Sequence, residues 1–456
     1  MLSAQFFTTL NGRIFVDTLK ILFQPWKWKY WNYQDRFVED FKKYMNAETS
    51  EVFLFYNWRS ALHHALKLVN SEKWIVNSKS HAELVSASWE AKIDPEINSG
   101  WQSPKSHENF KISEVLIAGY TCVSVVNAVK QAGFKPVYVD IDESLNMTLD
   151  NIKKVYSENT KVIIVQHTFW NPAKIDEIVK WAHNHNLIVI EDCAHALWAN
   201  VWDKKVGTFS DMAIFSTWRD KVISSVTWWI LLVNNPEILN KNSANPAKIL
   251  KSLIMPSNKL IFQNLFYNIV GYLAWKTYDI KLWKILMYLA WKFGLIPKIL
   301  TKKEKSCNFS IFYYAFPNAL AYLAYKQLKI IDKTLQHRKK IAEFYKKELA
   351  WTKSLKFPKT EAFYNNIYFW FPVLVEDEKL WQKLVDEGKR QWIYFWVYWS
   401  GINIVPPGTD LESCWYKKWD CIMAEKLSKQ ILVLPNHYQL TLKNTEKVVS
   451  LIKNIF

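Results

Sequence analysis

Apolar and polar residues follow two alternating periods in the first half of the chain, one typical of buried strands and one typical of helices. The strand-like run EVFLFY at 51–56 is followed at 60–69 by SALHHALKLV, which has helical spacing. The same rhythm resumes at residue 115 and continues to residue 194, where apolar strand-like runs alternate with helical ones. Strands that alternate with helices of about 10 to 15 residues predict a mostly parallel sheet with helices on both faces.

The pattern changes in the second half of the chain. Residues 247–300 are apolar and helical in spacing with regularly placed lysines, and residues 316–349 predict two longer helices. From residue 367 onward, short strand-like and helical runs mix. We therefore expect a large α/β domain over residues 1–240, followed over residues 241–456 by a helical insertion and a smaller α+β domain.

One segment of the first half has no sustained period. Residues 71–110 are rich in Ser, Asn, His, Lys and Glu. Long stretches without secondary structure are uncommon inside compact domains. We therefore interpret this segment as an inserted surface loop.

The charge balance is strongly basic, with a formal net charge of +17. Such a balance fits nucleic acid, a membrane surface or an anionic substrate as partner. The lysines are nevertheless scattered in KK and KxxK spacings, which is typical of solvated helix faces, and no nucleic-acid-binding motif is found. We expect no nucleic-acid partner.

The cysteines and the apolar runs indicate in which cellular compartment the protein is expected. The chain has five cysteines and no CxxC pair, which argues against disulfides and structural zinc. The first 23 residues lack a basic start and a small-residue cleavage site, and the apolar stretch Leu260–Trp275 is shorter than the ~20 residues that span a bilayer. We expect a cytoplasmic protein.

The most informative segment lies between residues 187 and 232. A buried strand, 187–190, is followed by Glu191 and Asp192, and a second strand, 212–215, is followed by Ser216 and then Lys221. Ligands bind at the carboxyl ends of strands in open α/β sheets, so the carboxylate and the lysine are expected to face one ligand. This combination suits pyridoxal 5'-phosphate, whose ring nitrogen pairs with a carboxylate and whose aldehyde reacts with a lysine.

Tryptophan and glycine occur in unusual numbers. The chain has 25 Trp and 10 Gly, although average usage of about 7% would give about 32 Gly. Many tryptophans stand in turn-like contexts that favour glycine, which alone adopts positive φ without steric cost. We hypothesise that UGA codons for glycine are translated here as tryptophan; the alternative is a protein that is truly rich in tryptophan. The positions expected to be encoded by UGA are Trp58, Trp170, Trp198, Trp202, Trp228, Trp229 and Trp392.

Several segments, in order, resemble the DegT/DnrJ/EryC1/StrS family of sugar aminotransferases. They include NWRSALHHAL, IEDCAHALWA, VGTFSDMAIFSTWRDK and YAFPNALAYLAYKQL. The resemblance extends from about residue 34 to the end, apart from 71–110 and part of 240–305. It implies the fold type I aminotransferase architecture, with a mostly parallel sheet in an α/β/α large domain and a smaller α+β C-terminal domain. It also implies the cofactor pyridoxal 5'-phosphate and a homodimer.

The resemblance implies roles for individual residues. Lys221 matches the lysine that forms the Schiff base, and Asp192 matches the carboxylate that pairs with the ring nitrogen. His195 matches a residue beside the ring, and Ser216 matches a phosphate ligand. The turn Trp58-Arg59-Ser60 matches the phosphate cup, in which backbone N–H groups bind the anion.

Two positions depart from the family pattern. Cys122 stands where an aromatic residue usually stacks on the ring face, and Tyr120 could replace that aromatic only if the local turn differs. The run YYAFPN at 313–318 stands where the family makes a phosphate contact across subunits. Both departures indicate a divergent subgroup.

The expected reaction moves an amino group, with glutamate as donor, to a keto sugar on a nucleotide diphosphate. One alternative is a pyridoxamine-dependent sugar dehydratase, although those relatives carry histidine in place of the lysine. Another is a non-catalytic or regulatory cofactor-binding protein. A third is a membrane-surface role for residues 252–300. For these residues we favour instead a pair of helices that packs on its own domain or dimer.

Overall fold

The structure is a computed structural model that describes residues 2–3, 10–56, 58–69, 112–241, 253–278, 280–297, 305–306 and 313–456. For Trp58 and Arg59 the backbone alone is described. The segment 71–110, interpreted above as a surface loop, lies outside the described residues.

The helices alternate with strands up to residue 241 and dominate the second half of the chain. In the described residues they are α1 (Gly12–Leu22), α2 (Tyr33–Met45), α3 (Trp58–Val69), α4 (Val123–Gln131), α5 (Leu149–Val155), α6 (Ile175–Asn184), α7 (Glu237–Lys241), α8 (Asn258–Lys276), α9 (Trp283–Lys292), α10 (Asn318–Leu328), α11 (Ile331–Leu349), α12 (Glu378–Arg390), α13 (Ile422–Gln430) and α14 (Leu442–Lys453).

The strands are short, and most belong to two sheets. In the described residues they are β1 (Leu2–Ser3), β2 (Glu51–Phe55), β3 (Glu114–Ala118), β4 (Thr121–Cys122), β5 (Lys135–Val139), β6 (Thr160–Gln166), β7 (Ile188–Asp192), β8 (Asn200–Val201), β9 (Lys204–Lys205), β10 (Met212–Ser216), β11 (Trp229–Val233), β12 (Leu355–Lys356), β13 (Tyr364–Asn365), β14 (Phe371–Val375), β15 (Ile393–Tyr394), β16 (Ile404–Val405) and β17 (Ile431–Leu434).

The main sheet has seven strands in the order β2-β11-β10-β7-β6-β3-β5. The pairs from β10 to β5 are parallel, whereas β11 is antiparallel to both of its neighbours. Every residue of β3, β10 and β11 is buried, as expected for strands covered on both faces. The predicted mostly parallel α/β sheet is therefore confirmed, with one antiparallel strand inserted in it.

A second, three-stranded antiparallel sheet, β12-β14-β17, lies in the C-terminal part. It agrees with the expected mixture of short strands and helices after residue 367. Short pairings connect this part to the first half, since β16 pairs with β4 and β13 pairs with β8. The domain boundary at residue 240 stays a prediction.

The N-terminal helices pack against helices from the middle of the chain. Helix α1 packs on α8, and α2 packs on α10. The Asn318 side chain fixes this contact by accepting from the Tyr33 N–H at 3.0 Å and donating to the Lys27 carbonyl at 2.6 Å. The predicted helical insertion thus covers the N-terminal segment. Within the described ranges, none of the helices has the length and apolar character needed to cross a bilayer.

Candidate active site

The candidate site lies where β7 and β10 end. The two strands are parallel neighbours, with Ile214 opposite Asp192, and their last residues are Asp192 and Ser216. Because β2 and β10 are both antiparallel to β11, β2 points the same way as β10, and helix α3 begins at the same edge. The sheet therefore brings the predicted carboxylate, serine and phosphate turn to one edge.

Lys221 is held by the loop between β10 and β11. Thr217 and Ser225 close this loop, because the Ser225 N–H donates to the Thr217 carbonyl at 3.0 Å and their hydroxyls lie 2.7 Å apart. Gln327 of α10 accepts from the Ser224 N–H at 2.9 Å and donates to the Ser224 carbonyl at 2.6 Å. Lys221 is 7% exposed. Its position is therefore fixed by the loop and by a helix more than 100 residues away.

Burial shifts the pKa values of Asp192 and Lys221 in the directions that favour their neutral forms. It raises the pKa of Asp192 to about 6, against opposing effects of a 3.0 Å hydrogen bond from the Ala194 N–H and of Lys221. Burial likewise lowers the pKa of Lys221, opposed by Asp220 and Asp192. The lysine and Asp192 are thus close enough to affect each other. Shifts of this kind, from desolvation and a specific charge partner, are typical of functional sites.

His195 lies beside this pair as a neutral ring. Its Nδ1 accepts from the Phe169 N–H at 3.3 Å, so the proton belongs on Nε2. Burial lowers the pKa of His195 well below its usual value, and Lys221 adds to the effect. At neutral pH His195 can therefore donate one hydrogen bond from Nε2 but carries no charge.

Cys122 and Tyr120 differ in their relation to the lysine. Cys122 precedes α4, is half-buried and is near enough to Lys221 to affect the pKa of the lysine. Tyr120 is fully buried, donates its hydroxyl to the Trp399 carbonyl and packs its ring against Trp399 and Phe169. Tyr120 is therefore committed to the contact with the C-terminal part, and Cys122 remains the candidate on the ring face.

The turn expected to bind phosphate is only partly described. Helix α3 begins at Trp58, directly after the strand-end region of β2. Ser60 is buried in the first turn of this helix. The backbone places Trp58, Arg59 and Ser60 at a helix N-terminus, where N–H groups attract anions. Their role in binding phosphate stays a prediction.

The space in front of Lys221 is filled by aromatic rings that the sequence reasoning missed. The lysine Nζ lies 4.6 Å from the centroid of the Trp370 ring and 5.3 Å from that of Phe369. The His195 ring lies 4.6 Å from both Trp370 and Trp399. The indole N–H of Trp370 is buried without a hydrogen-bond partner. Trp370 precedes β14, some 150 residues from the lysine, so no local pattern could have placed it there.

Glu191 is the centre of a second buried network. It accepts from the backbone N–H groups of Gly207, Phe209 and Ser210 at 2.6 to 3.0 Å, and also from the Ser210 hydroxyl. His167 Nε2 lies 3.1 Å from its remaining acceptor site. Glu191 therefore fastens the loop after β9 to the end of β7, next to Asp192.

The same network brings together possible metal ligands. Atoms of His167, Glu191 and Cys193 lie within 4.8 Å of one another. However, His167 Nδ1 accepts from the Ala173 N–H at 3.0 Å, so Nε2 carries the proton that Glu191 accepts. Burial also raises the pKa of the Cys193 thiol well above its usual value, which disfavours the thiolate that binds metals. The cluster is thus a structural hydrogen-bond network.

Comparison with solved structures identifies the fold. The aminotransferase TlmJ from Streptoalloteichus hindustanus superposes with a TM-score of 0.69 over 100% of this chain and 98% of its own, at 18% identity. Helicobacter pylori PseC, an aminotransferase of pseudoaminic acid biosynthesis, also gives 0.69, over 100% and 99%, at 15% identity. These likenesses show a shared fold.

Sequence comparisons extend the likeness. The chain is 28% identical to the uncharacterized protein MJ1066 of Methanocaldococcus jannaschii over 75% of this chain and 79% of the relative. It is 33% identical to the GDP-perosamine synthase of Escherichia coli O157:H7 over 28% of this chain, and 27% identical to that of Vibrio cholerae over 52%. Those matches span only 35% and 52% of the synthases.

A family model matches residues 107–247 and 302–453, which is more than half of the chain. Its two segments include Asp192, Ser216 and Lys221. The stretch between them corresponds to the helical insertion around α8 and α9. The protein belongs to the DegT/DnrJ/EryC1/StrS aminotransferase family.

Proposed function

We propose that this aminotransferase uses pyridoxal 5'-phosphate to move an amino group from an amino acid, with glutamate as the expected donor, to a keto sugar carried on a nucleotide diphosphate. The observation that carries the proposal is the position of Asp192 at the end of β7 and of Lys221 in the loop after the neighbouring strand β10, both buried and each affecting the pKa of the other. The names of several relatives, such as the GDP-perosamine synthases, support a nucleotide-linked sugar as acceptor.

The polar groups at the site fit this cofactor. When bound, pyridoxal 5'-phosphate supplies an aldehyde that carries the amino group and a ring that withdraws electrons. Lys221 is a buried amine whose pKa is lowered by burial, which favours the neutral, nucleophilic form. We assign Lys221 to covalent attachment of the cofactor and to proton transfer at the substrate carbon.

Asp192 and His195 would hold the ring in place. With a pKa of about 6, Asp192 is mostly ionised at neutral pH and would form an ion pair with a protonated ring nitrogen. His195 offers its Nε2–H to the ring or its phenolic oxygen. Ser216 and the N-terminus of α3 would bind the phosphate from the same sheet edge.

Two other activities are consistent with the fold. One relative is named a dTDP-4-dehydro-2,6-dideoxy-D-glucose 3-dehydratase, with 29% identity over 39% of this chain. The lysine at position 221 argues against this reaction, because the resemblance gives such dehydratases a histidine there. A non-catalytic, cofactor-binding role is the second alternative, and Cys122 in place of a stacking aromatic favours it.

The test measures attachment and then the first half-reaction. Because the indole of Trp370 lies beside Lys221, and Trp228 is the last residue of the loop that carries Lys221, the experiment compares the unmodified chain with a Trp370→Gly/Trp228→Gly variant. Each is incubated with pyridoxal 5'-phosphate, reduced with borohydride and digested for peptide mapping. We expect the cofactor on Lys221 in the variant. Absence of any adduct on Lys221 would refute the proposal.

Glutamate then separates the alternatives. An aminotransferase converts the bound cofactor to its pyridoxamine form and releases 2-oxoglutarate, which is followed by absorbance and by assay of the keto acid. A cofactor that stays unchanged with glutamate and other amino acids would favour the non-catalytic role. A sugar product that lacks nitrogen would favour the dehydratase.

A further inference from the structure

We infer that the working protein carries glycine at a defined subset of its tryptophan positions, and that the space filled here by the Trp370 indole is the ligand chamber above Lys221. The first half of this inference rests on backbone geometry and on side-chain packing. The second half rests also on the proposed function.

Backbone geometry singles out five tryptophans. Twelve non-glycine residues have positive φ in the described residues, and five of them are tryptophan. A bulky L-residue in this region is a conformational outlier, whereas glycine adopts it freely. The five are Trp198 (φ 78°), Trp202 (53°), Trp392 (61°), Trp415 (57°) and Trp419 (78°).

Trp202 lies in a hairpin turn that normally requires glycine. Strands β8 and β9 pair through Val201 and Lys204, so that Trp202 and Asp203 form a two-residue loop. Of these two residues, Trp202 alone has a positive φ. A two-residue hairpin turn with positive φ at its first central position is the type II′ pattern, in which glycine is typical.

Trp392 follows the end of a helix and Trp415 closes a turn, and glycine holds the equivalent position elsewhere in this chain. The Trp415 N–H donates to the Glu412 carbonyl, and the next N–H, of Tyr416, donates to Leu411. Gly133 makes the same pair of bonds, with its own N–H to Lys130 and the next N–H to Val129. Trp392 follows the C-cap of α12 and donates to Lys389. Trp392 therefore occupies the C′ position of α12, where glycine is the usual residue, and Trp415 makes the same turn hydrogen bonds as Gly133.

Side-chain packing points to further tryptophans, namely Trp170, Trp228 and Trp370. All three are almost completely buried, and their indole N–H groups have no hydrogen-bond partner. The Trp228 ring is also in very close contact with the ring of Phe316. A buried polar group without a partner is unfavourable by about 1–3 kcal/mol, and native indoles are normally satisfied. Glycine at these positions would remove the unsatisfied groups.

Two other tryptophans, Trp28 and Trp381, have indole N–H groups that are hydrogen-bonded. The Trp28 indole donates to the Ile21 carbonyl at 2.9 Å, and the Trp381 indole donates to the Ile431 carbonyl at 3.0 Å. Neither residue has a positive φ. They are therefore internal controls, expected to be tryptophan in the working protein.

The chamber follows from what surrounds Trp370. Its ring lies 4.6 Å from both the Lys221 amine and the His195 ring. Removing the indole leaves a ring-sized space that borders the lysine and the histidine, whereas the backbone of residue 370 stays in place before β14. A planar aromatic ligand such as the pyridine ring fits that space.

The first experiment is peptide mass spectrometry of the protein purified from its native organism. We expect glycine at 170, 198, 202, 228, 370, 392, 415 and 419, and tryptophan at 28 and 381. Tryptophan at 198 and 392 would overturn the inference.

The second experiment compares recombinant proteins. Replacing the five positive-φ tryptophans by glycine should raise the unfolding midpoint, whereas Trp28→Gly and Trp381→Gly should each lower it. A fall in midpoint for the five-residue variant would contradict the backbone argument.

Adding Trp370→Gly to the five-residue variant tests the chamber. We expect at least a tenfold gain in affinity for pyridoxal 5'-phosphate, measured by equilibrium dialysis. Equal affinity with and without Trp370 would refute the chamber. If neither protein binds the cofactor although the mass data show glycine, the proposed function fails and the glycine inference stands.

Discussion

Burying the ionised Asp192 carboxylate costs free energy, and this cost remains until a positively charged partner binds. Burial raises its pKa from 3.8 to about 6, so the folded protein binds the proton more tightly than the unfolded chain does. This contribution to stability is fully present below about pH 4 and is lost as the pH rises through about 6. A bound ring cation would reverse the shift.

The first prediction concerns Asp192→Asn in the cofactor-free protein. Its free energy of unfolding, relative to the original chain, should rise between pH 3 and pH 7 by about 3 kcal/mol, since a shift of one pKa unit corresponds to 1.36 kcal/mol. Urea unfolding at several pH values measures this. Asp386→Asn is the control, because a hydrogen bond with Gln382 lowers the pKa of that exposed carboxyl. A pH-independent difference for Asp192→Asn would contradict the assignment.

The second prediction concerns Lys221→Met. The variant should retain the fold, because it removes a buried amine whose pKa is lowered by burial, and it should lose both covalent cofactor attachment and turnover. Lys67→Met is the matched control, since burial lowers the pKa of Lys67 to about 8 on helix α3. Borohydride trapping on Lys67 in place of Lys221 would show that low pKa alone selects the lysine.

At the scale of elements, the last two residues of β7, Glu191 and Asp192, have different roles. Asp192 faces the candidate site, whereas Glu191 points to the opposite side and binds the loop at 207–210. This division follows from the alternation of side chains along a strand. The rigidity of the site therefore depends on a residue that no ligand touches.

The third prediction tests that dependence. Glu191→Gln should lower the free energy of unfolding by about 2–3 kcal/mol, because the amide replaces one acceptor oxygen by a donor that faces backbone N–H groups. Ser210→Ala, which removes one hydroxyl donor, should cost only about 1 kcal/mol. Chemical denaturation measures both. Equal effects would mean that Glu191 is not the centre of the network.

How far the sequence predicts the site depends on the distance between its parts. Asp192, Ser216 and Lys221 were predictable because strand patterns place them at strand ends within 30 residues of one another. Trp370 and Gln327 were not, since they reach the lysine loop from the C-terminal half through tertiary packing alone. The packing of α1 on α8 and of α2 on α10 was missed for the same reason.

At the scale of the whole molecule, helix α9 leaves apolar side chains exposed. Ile285, Tyr288 and Trp291 are each more than half exposed, and Ala290 is the buried residue of the helix. This segment is tied to the lysine loop, because Arg219 donates to the Pro297 carbonyl at 2.9 Å. The resemblance implies a site completed by a neighbouring subunit, and we propose that a second copy of the chain covers α9.

The fourth prediction follows from that proposal. Light scattering should give twice the 54.0 kDa mass of one chain, and Ile285→Glu combined with Tyr288→Glu should shift the protein toward the monomer. Trp351→Glu is the control, since Trp351 is an exposed residue after α11. A monomer that sediments with anionic vesicles would instead support a membrane-surface role for this helix.

The strand order of the main sheet also fixes when the protein can become active during synthesis. Among the described strands, β2 pairs with β11, which emerges more than 170 residues later. At about 5–20 residues per second, the ribosome needs on the order of ten seconds or more to supply that partner. Until then the turn at 58–60, which we propose as the phosphate site, has no sheet partner to hold it at the edge near Lys221. If the proposed function is correct, cofactor binding is a late event, and a chain stalled before residue 229 would not bind the cofactor.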